Sequence, residues 1–177
     1  MRGLPYFWKA TNVKVYLIRH GDADAEVPEG LGDGERALTT KGRLLLASHF
    51  SALAPRMAEL ELVYFSPLVR CVQTAQIMSM AMGYEGTLRA HKALLPDMPV
   101  GAIEFLLAEC TARAVALVGH QPAMGALASH LLRLEHFPRP FVPGTVVGVE
   151  LEPSEQPLRG ALLFCAQPGQ GSVDRLF

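Results

Sequence analysis

The sequence predicts an α/β protein, a three-layer α/β/α sandwich around a mostly parallel central sheet. Three observations predict it. Short, apolar, β-rich runs recur along the chain, and capped helical patterns separate them. At three places polar residues stand where a strand should end: Arg19-His20-Gly21, Ser66-Pro67 with Arg70, and Gly119-His120. In open α/β sheets ligands collect at the carboxyl ends of strands, so these three segments are expected to converge.

The elements follow in chain order. Val13 to Ile18 is apolar almost throughout, as a strand buried on both faces should be. "DADAEVPEGLGDGERA" is a polar, Gly-rich loop. Thr39 or Thr40 caps a helix carrying Leu44, Leu45, Leu46, Ala47, Phe50 and Leu53, with Pro55 just past its end. Glu61 to Phe65 reads as a second strand, and Ser66 and Pro67 as the N-cap and first-turn proline of a helix that Gly83 closes. Thr87 to Leu95 is a strand and its exit, and Pro99 to Glu109 a short helix with Ile103, Leu106 and Leu107 on one side. Ala114 to His120 is the clearest later strand, with a helix starting near Pro122. Thr145 to Leu151 and Leu158 to Phe164 complete the set.

The 177 residues suit one domain, read as 13–177 behind an N-terminal extension, 1–12, with an aromatic cluster at Tyr6, Phe7 and Trp8. Half the residues are hydrophobic and 19% are charged, which argues against disorder. A formal net charge of −1, with dispersed signs, gives no polybasic surface for nucleic acid or membrane. Cys71, Cys110 and Cys165 have neither C-x-x-C spacing nor an even count, so a reducing, cytoplasmic setting is expected. The extension lacks the apolar run of a signal peptide, and no run elsewhere spans a bilayer.

The residue types at the strand ends suit phosphoryl transfer. A transferring phosphoryl group spreads negative charge over three equatorial oxygens, with nucleophile and leaving group in line. Arg19 and Arg70 supply guanidinium forks, Gly21 allows close backbone approach, and the helix after Ser66 adds amide donors. One of His20 and His120 can attack phosphorus while the other donates to an oxygen, and nearby arginines favour the neutral imidazole.

Four segments in the same order, "LIRHGDA", "ALTTKGR", "VYFSPLVRCVQTA" and "VALVGHQP", give the chain a resemblance to the histidine phosphatase superfamily, whose fold is shared with phosphoglycerate mutase. The compact length resembles the small SixA-type phosphohistidine phosphatases. The resemblance implies a phosphoglycerate-mutase-like fold and a metal-independent, cofactor-free phosphatase. His20 would be the transiently phosphorylated nucleophile, and Arg19, Arg70 and His120 the clamp on the phosphoryl oxygens, with Gly21 beside them. Larger members use an acid after the third strand, where this chain reads "KALLPDMPVG", so Asp97 is the candidate proton donor. A weak acid and an uncapped site favour a phosphohistidine-bearing protein, such as a phosphotransfer domain, as substrate. A small phosphorylated metabolite is the alternative, making the chain a small-molecule phosphomonoesterase. A catalytically silent phosphoprotein-binding module is the reading from another class.

Competing motifs fail on their neighbours. "DADAE" lacks the residues that flank the D-x-D of magnesium-dependent aspartyl phosphatases, and Asp22 is read as orienting its neighbours by hydrogen bonds. No cysteine starts a C-x5-R, there is no P-loop, and "GLGDGER" does not follow a strand. His49, His91, His130 and His136 show no metal-ligand spacing. In the last quarter, "FPRPFVPGTVVGVEL" is a candidate lining for the mouth of the site, with Arg139 or Thr145 as contacts.

Overall fold

The computed structural model describes residues 12–153 and 158–176. The expected N-terminal extension lies, apart from Asn12, outside them. The strands are β1 (Val13–Arg19), β2 (Leu62–Phe65), β3 (Thr87–Ala90), β4 (Ala114–Gly119), β5 (Val146–Leu151), β6 (Gly160–Gln167) and β7 (Gly171–Val173). The helices are α1 (Thr40–Leu53), α2 (Val69–Met82), α3 (Val100–Glu109) and α4 (Ala123–Leu131). All strands join one sheet in the order β3-β2-β4-β1-β5-β6-β7.

Four of the seven strands form the parallel part of that sheet. β3, β2, β4 and β1 run together, and β5, β6 and β7 extend the sheet antiparallel from β1. The final strand, three residues long and largely exposed, carries no alternation that a sequence reading can use.

β1 shows why the strands are apolar on both faces. Val13, Val15 and Leu17 pack against a cluster that includes Ile103, Leu106 and Leu107 of α3 and Met124, Leu127 and Leu131 of α4. Tyr16 and Ile18 point the other way, onto Leu46 and Phe50 of α1 and Cys71, Ala75 and Met78 of α2. Two helices thus cover each face, and each fully buried large apolar side chain contributes about 1.5–3 kcal/mol. Leu44 and Leu45, on the same helix as Leu46, stay exposed.

The helix ends follow local chemistry. Thr39 is the N-cap of α1, its Oγ1 accepting from the Gly42 N–H at 2.9 Å, and the same hydroxyl donates to Asp22 Oδ2 at 2.9 Å. Asp22 therefore does orient its neighbours. Gly83 ends α2 in the left-handed conformation (φ 63°), letting the Tyr84 N–H reach Ser79 O at 2.9 Å. The start of α2 departs from expectation. The helix begins at Val69 with Leu68 as N-cap and no side-chain cap; the Ser66 hydroxyl, two residues earlier, accepts from the Leu68 N–H at 3.4 Å and meets His120. Among the described residues no helix is long and apolar enough to cross a membrane.

Candidate active site

β2, β4 and β1 are adjacent and parallel, so their carboxyl ends open side by side. The register pairs Arg19 with Gly119 and Phe65 with Val118. His20, His120 and Ser66 each follow one residue later. Backbone hydrogen bonds continue past the strand ends: the His20 N–H donates to Gly119 O at 3.0 Å, the Ser66 N–H donates to Val118 O at 2.9 Å, and His120 O accepts from the Met124 N–H at 2.9 Å. The two imidazole rings lie 5.2 Å apart at an interplanar angle of 61°, nearly buried at 8% and 3% exposure.

Each ring has a defined partner. His20 Nδ1 lies 2.7 Å from Gly21 O. A carbonyl only accepts, so Nδ1 carries the proton and Nε2 carries the lone pair. His120 Nε2 meets Ser66 Oγ at 2.8 Å, with Cys71 Sγ at 3.5 Å. Both rings stay neutral well below pH 7. Burial is the main reason that His20 is pushed down to about 4, with the charges of Arg70, Arg19 and Arg36 assisting against the Gly21 hydrogen bond. His120 is pushed down to about 3, by burial first and then by His20 and Arg70. The arginine repulsion expected from the sequence is present, but second to desolvation.

The guanidiniums are tethered by one end. Arg19 Nη1 donates to Phe141 O at 2.8 Å, and Arg70 donates from Nη1 to Asp33 O at 2.8 Å and from Nη2 to Asp33 Oδ2 at 2.9 Å. In both, the Nε is buried with no hydrogen-bond partner among the described residues. Buried donors without acceptors are costly, and the charges of both arginines reach His20.

Asp33 was not legible as a site residue. It stands in the loop "GLGDGER", in a single short turn of helix, Asp33–Glu35. Its carboxylate also accepts from Arg36 Nε at 3.0 Å, and Arg36 Nη2 lies 2.9 Å away. Arg70 and then Arg36 hold this carboxyl below the usual range, against the opposing effect of burial. The i,i+3 Asp-Arg spacing was the available signal, and in sequence it resembles any solvated charge pair.

Two expected residues have other parts. The Gly21 N–H already donates to Thr74 Oγ1 at 3.1 Å, and a Cβ there would meet Leu46 Cδ1 at 2.5 Å. Glycine is needed for packing, and its carbonyl holds His20. Asp97 lies exposed in the turn before α3, whose N-cap is Pro99, and no hydrogen bond or ion pair joins it to Arg19, His20, Arg70 or His120. Ser66, read as the N-cap of α2, lies before that cap, and its hydroxyl holds His120 as well as accepting from the Leu68 N–H. Thr145 accepts from the Arg19 N–H through its carbonyl at 3.0 Å, and its buried hydroxyl has no partner among the described residues. Among the described residues no three His, Cys, Asp or Glu side chains group to hold a metal ion.

Residues 15–95 match the model of the histidine phosphatase superfamily (branch 1). An uncharacterized protein of Picosynechococcus sp. is 35% identical over 124 residues, covering 66% of this chain and 71% of the relative. Phosphohistidine phosphatase SixA of Escherichia coli K12 is 28% identical over 145 residues, covering 80% and 88%. The solved structure of the protein histidine phosphatase SixA complexed with tungstate superposes with a TM-score of 0.78 at 26% identity, covering 88% of this chain and 97% of that one. With the strand-end histidines and arginines in place, the chain belongs to the histidine phosphatase superfamily, in its SixA-type branch, and is a phosphatase of the histidine-nucleophile class.

Proposed function

We propose that the protein removes phosphoryl groups from phosphohistidine through a covalent intermediate on His20. His20 Nε2, lone pair exposed by the Nδ1 tether to Gly21, attacks phosphorus as the bond to the leaving nitrogen breaks. Arg19 and Arg70 set their positive charge against the equatorial oxygens. Ser66 donates to His120 Nε2, which leaves the His120 Nδ1–H to donate to a third oxygen. Water then attacks phospho-His20 from the in-line side, freeing phosphate and the His20 lone pair. The guanidiniums supply the positive charge, so turnover is expected to survive EDTA.

The observation that carries the substrate class is the state of the site's carboxylate. Asp33, the acid tied into the clamp, is held ionised by Arg70 and Arg36, and no hydrogen bond or ion pair joins Asp97 to the clamp. An alkoxide leaving group is strongly basic and needs a proton in the transition state. A phosphohistidine protonated on its distal nitrogen departs as neutral imidazole, whose conjugate acid has a pKa of about 6.5. A clamp without a competent acid therefore suits P–N cleavage. The tungstate bound by the structurally similar SixA is an oxyanion of the kind this clamp would hold. Three buried, unpaired cysteines suit a reducing cytoplasm.

Phosphate release in EDTA from a histidine-phosphorylated protein and from an alkyl phosphate tests the reading. Preference for the phosphohistidine, lost in His20→Ala, is expected. Equal or faster turnover of the alkyl phosphate would make the protein a small-molecule phosphomonoesterase.

A further inference from the structure

Beside the clamp lies a cleft of about 500 Å³, between α4 and the irregular segment 132–141 that follows it. Two of its lining residues are direct neighbours of the clamp. Gln121 follows His120 in the chain, and the Phe141 carbonyl anchors Arg19. The far wall is firmly held although it has no regular structure. Phe137 and Phe141 stack edge-on at 5.3 Å, and Gln167 Nε2 donates to Pro140 O. A built cavity of this size is far larger than one leaving imidazole requires; cavities of roughly 300–1,000 Å³ hold several side chains or a drug-sized ligand.

The lining identifies its occupant. Phe137 and Phe141 offer apolar surface. Arg139 is half-buried in the same wall and has no acidic partner among the described residues. Of the other ionisable groups, His130 faces Glu104 at 2.8 Å, while His136 and Glu135, 4.0 Å apart, are both largely exposed. A cation without an acidic partner, in the same wall as two aromatic rings and next to a phosphoryl clamp, is complementary to a carboxylate with an apolar neighbour.

We propose that this cleft docks the protein segment carrying the phosphohistidine, with Arg139 taking a carboxylate of that segment and Phe137 and Phe141 an adjacent apolar side chain. The proposal rests on the phosphohistidine reading and adds a specificity determinant to it. A small phosphate ester without a carboxylate would leave Arg139 and the aromatic wall unfilled.

Three probes separate the two ideas: N-phosphoimidazole, a peptide with a central phosphohistidine flanked by Asp and Leu, and the same peptide flanked by Lys and Ser. The wild-type protein should favour the acidic peptide by about tenfold in kcat/KM, a charge-pair effect that high salt diminishes. Arg139→Glu should reverse that preference while leaving N-phosphoimidazole turnover unchanged, which also shows that the variant is folded. Phe137→Ala should raise KM for the Leu-bearing peptide alone. Equal wild-type turnover of the two peptides, or an Arg139→Glu variant that slows all three probes alike, overturns the docking proposal. Wild-type protein inert toward all three overturns the phosphohistidine reading, and the docking proposal with it.

Discussion

The floor and the rim of the site are built by opposite means. The floor, His20, His120, Ser66 and Cys71, is almost fully buried and set by sheet register and strand-end backbone hydrogen bonds. The rim is a Gly-rich loop, where Asp33 ties Arg70 and Arg36 together with its carboxylate largely exposed. The floor fixes the position and charge state of the imidazoles; the rim fixes the direction of a guanidinium. Chemistry that needs a neutral nucleophile sits where desolvation is strongest, and the acidic group sits where water and arginines keep it ionised.

Changes on the floor should therefore cost most. Arg70, whose side chain is buried at the junction of floor and rim, carries the positive charge that the proposed mechanism sets against the equatorial oxygens. Arg70→Ala should lower kcat by roughly 10²–10³-fold, as loss of one transition-state donor commonly does. Retention of turnover within a few-fold would move the clamp elsewhere.

The pH response comes next. His20 and His120 are neutral in the fold down to about 4 and about 3, while an unfolded histidine takes a proton near 6.5. Between those values the unfolded chain binds more protons, so stability falls as pH drops from about 6.5 toward 3. Denaturant midpoints at pH 7 and pH 5 should show the loss, and His20→Ala should reduce it. Turnover should stay insensitive to the nucleophile's protonation above about pH 5 and decline below 4. A midpoint that does not move between pH 7 and pH 5 would contradict the buried neutral pair.

Asp33→Ala sharpens the contrast between floor and rim. It removes the carboxylate from Arg70 and leaves the backbone tether, so kcat should fall by about tenfold through lost orientation, with tungstate binding unchanged or weaker. Tighter tungstate binding would instead make Asp33 a competitor for the oxyanion. The smallest effect is expected at Asp97, where Asp97→Asn should change turnover of a phosphohistidine peptide by less than about twofold. A large loss there would restore Asp97 as the proton donor.

The sequence revealed what burial dictates. β1 and β4 are apolar on both faces because helices cover both, so their ends, and with them Arg19, His20 and His120, stood out. Arg70 was legible by its place after the second strand. Ser66 was misread because a Ser-Pro pair at a strand end is also how a helix begins, and only the third dimension brings His120 beside it. Asp33 was hidden in a loop whose glycines and charges look solvated until Arg70 folds over it. The antiparallel end of the sheet was half visible: β5 shows its apolar run, whereas β7 is too short and exposed to carry a pattern.

The central claim is that His20 becomes phosphorylated, and trapping that species tests it most directly. Brief mixing with a radiolabelled phosphohistidine peptide, followed by alkaline quench, should leave an acid-labile, base-stable label on the peptide containing His20, absent in His20→Ala. Turnover with no label on His20, or label persisting in the His20→Ala variant, would contradict the account.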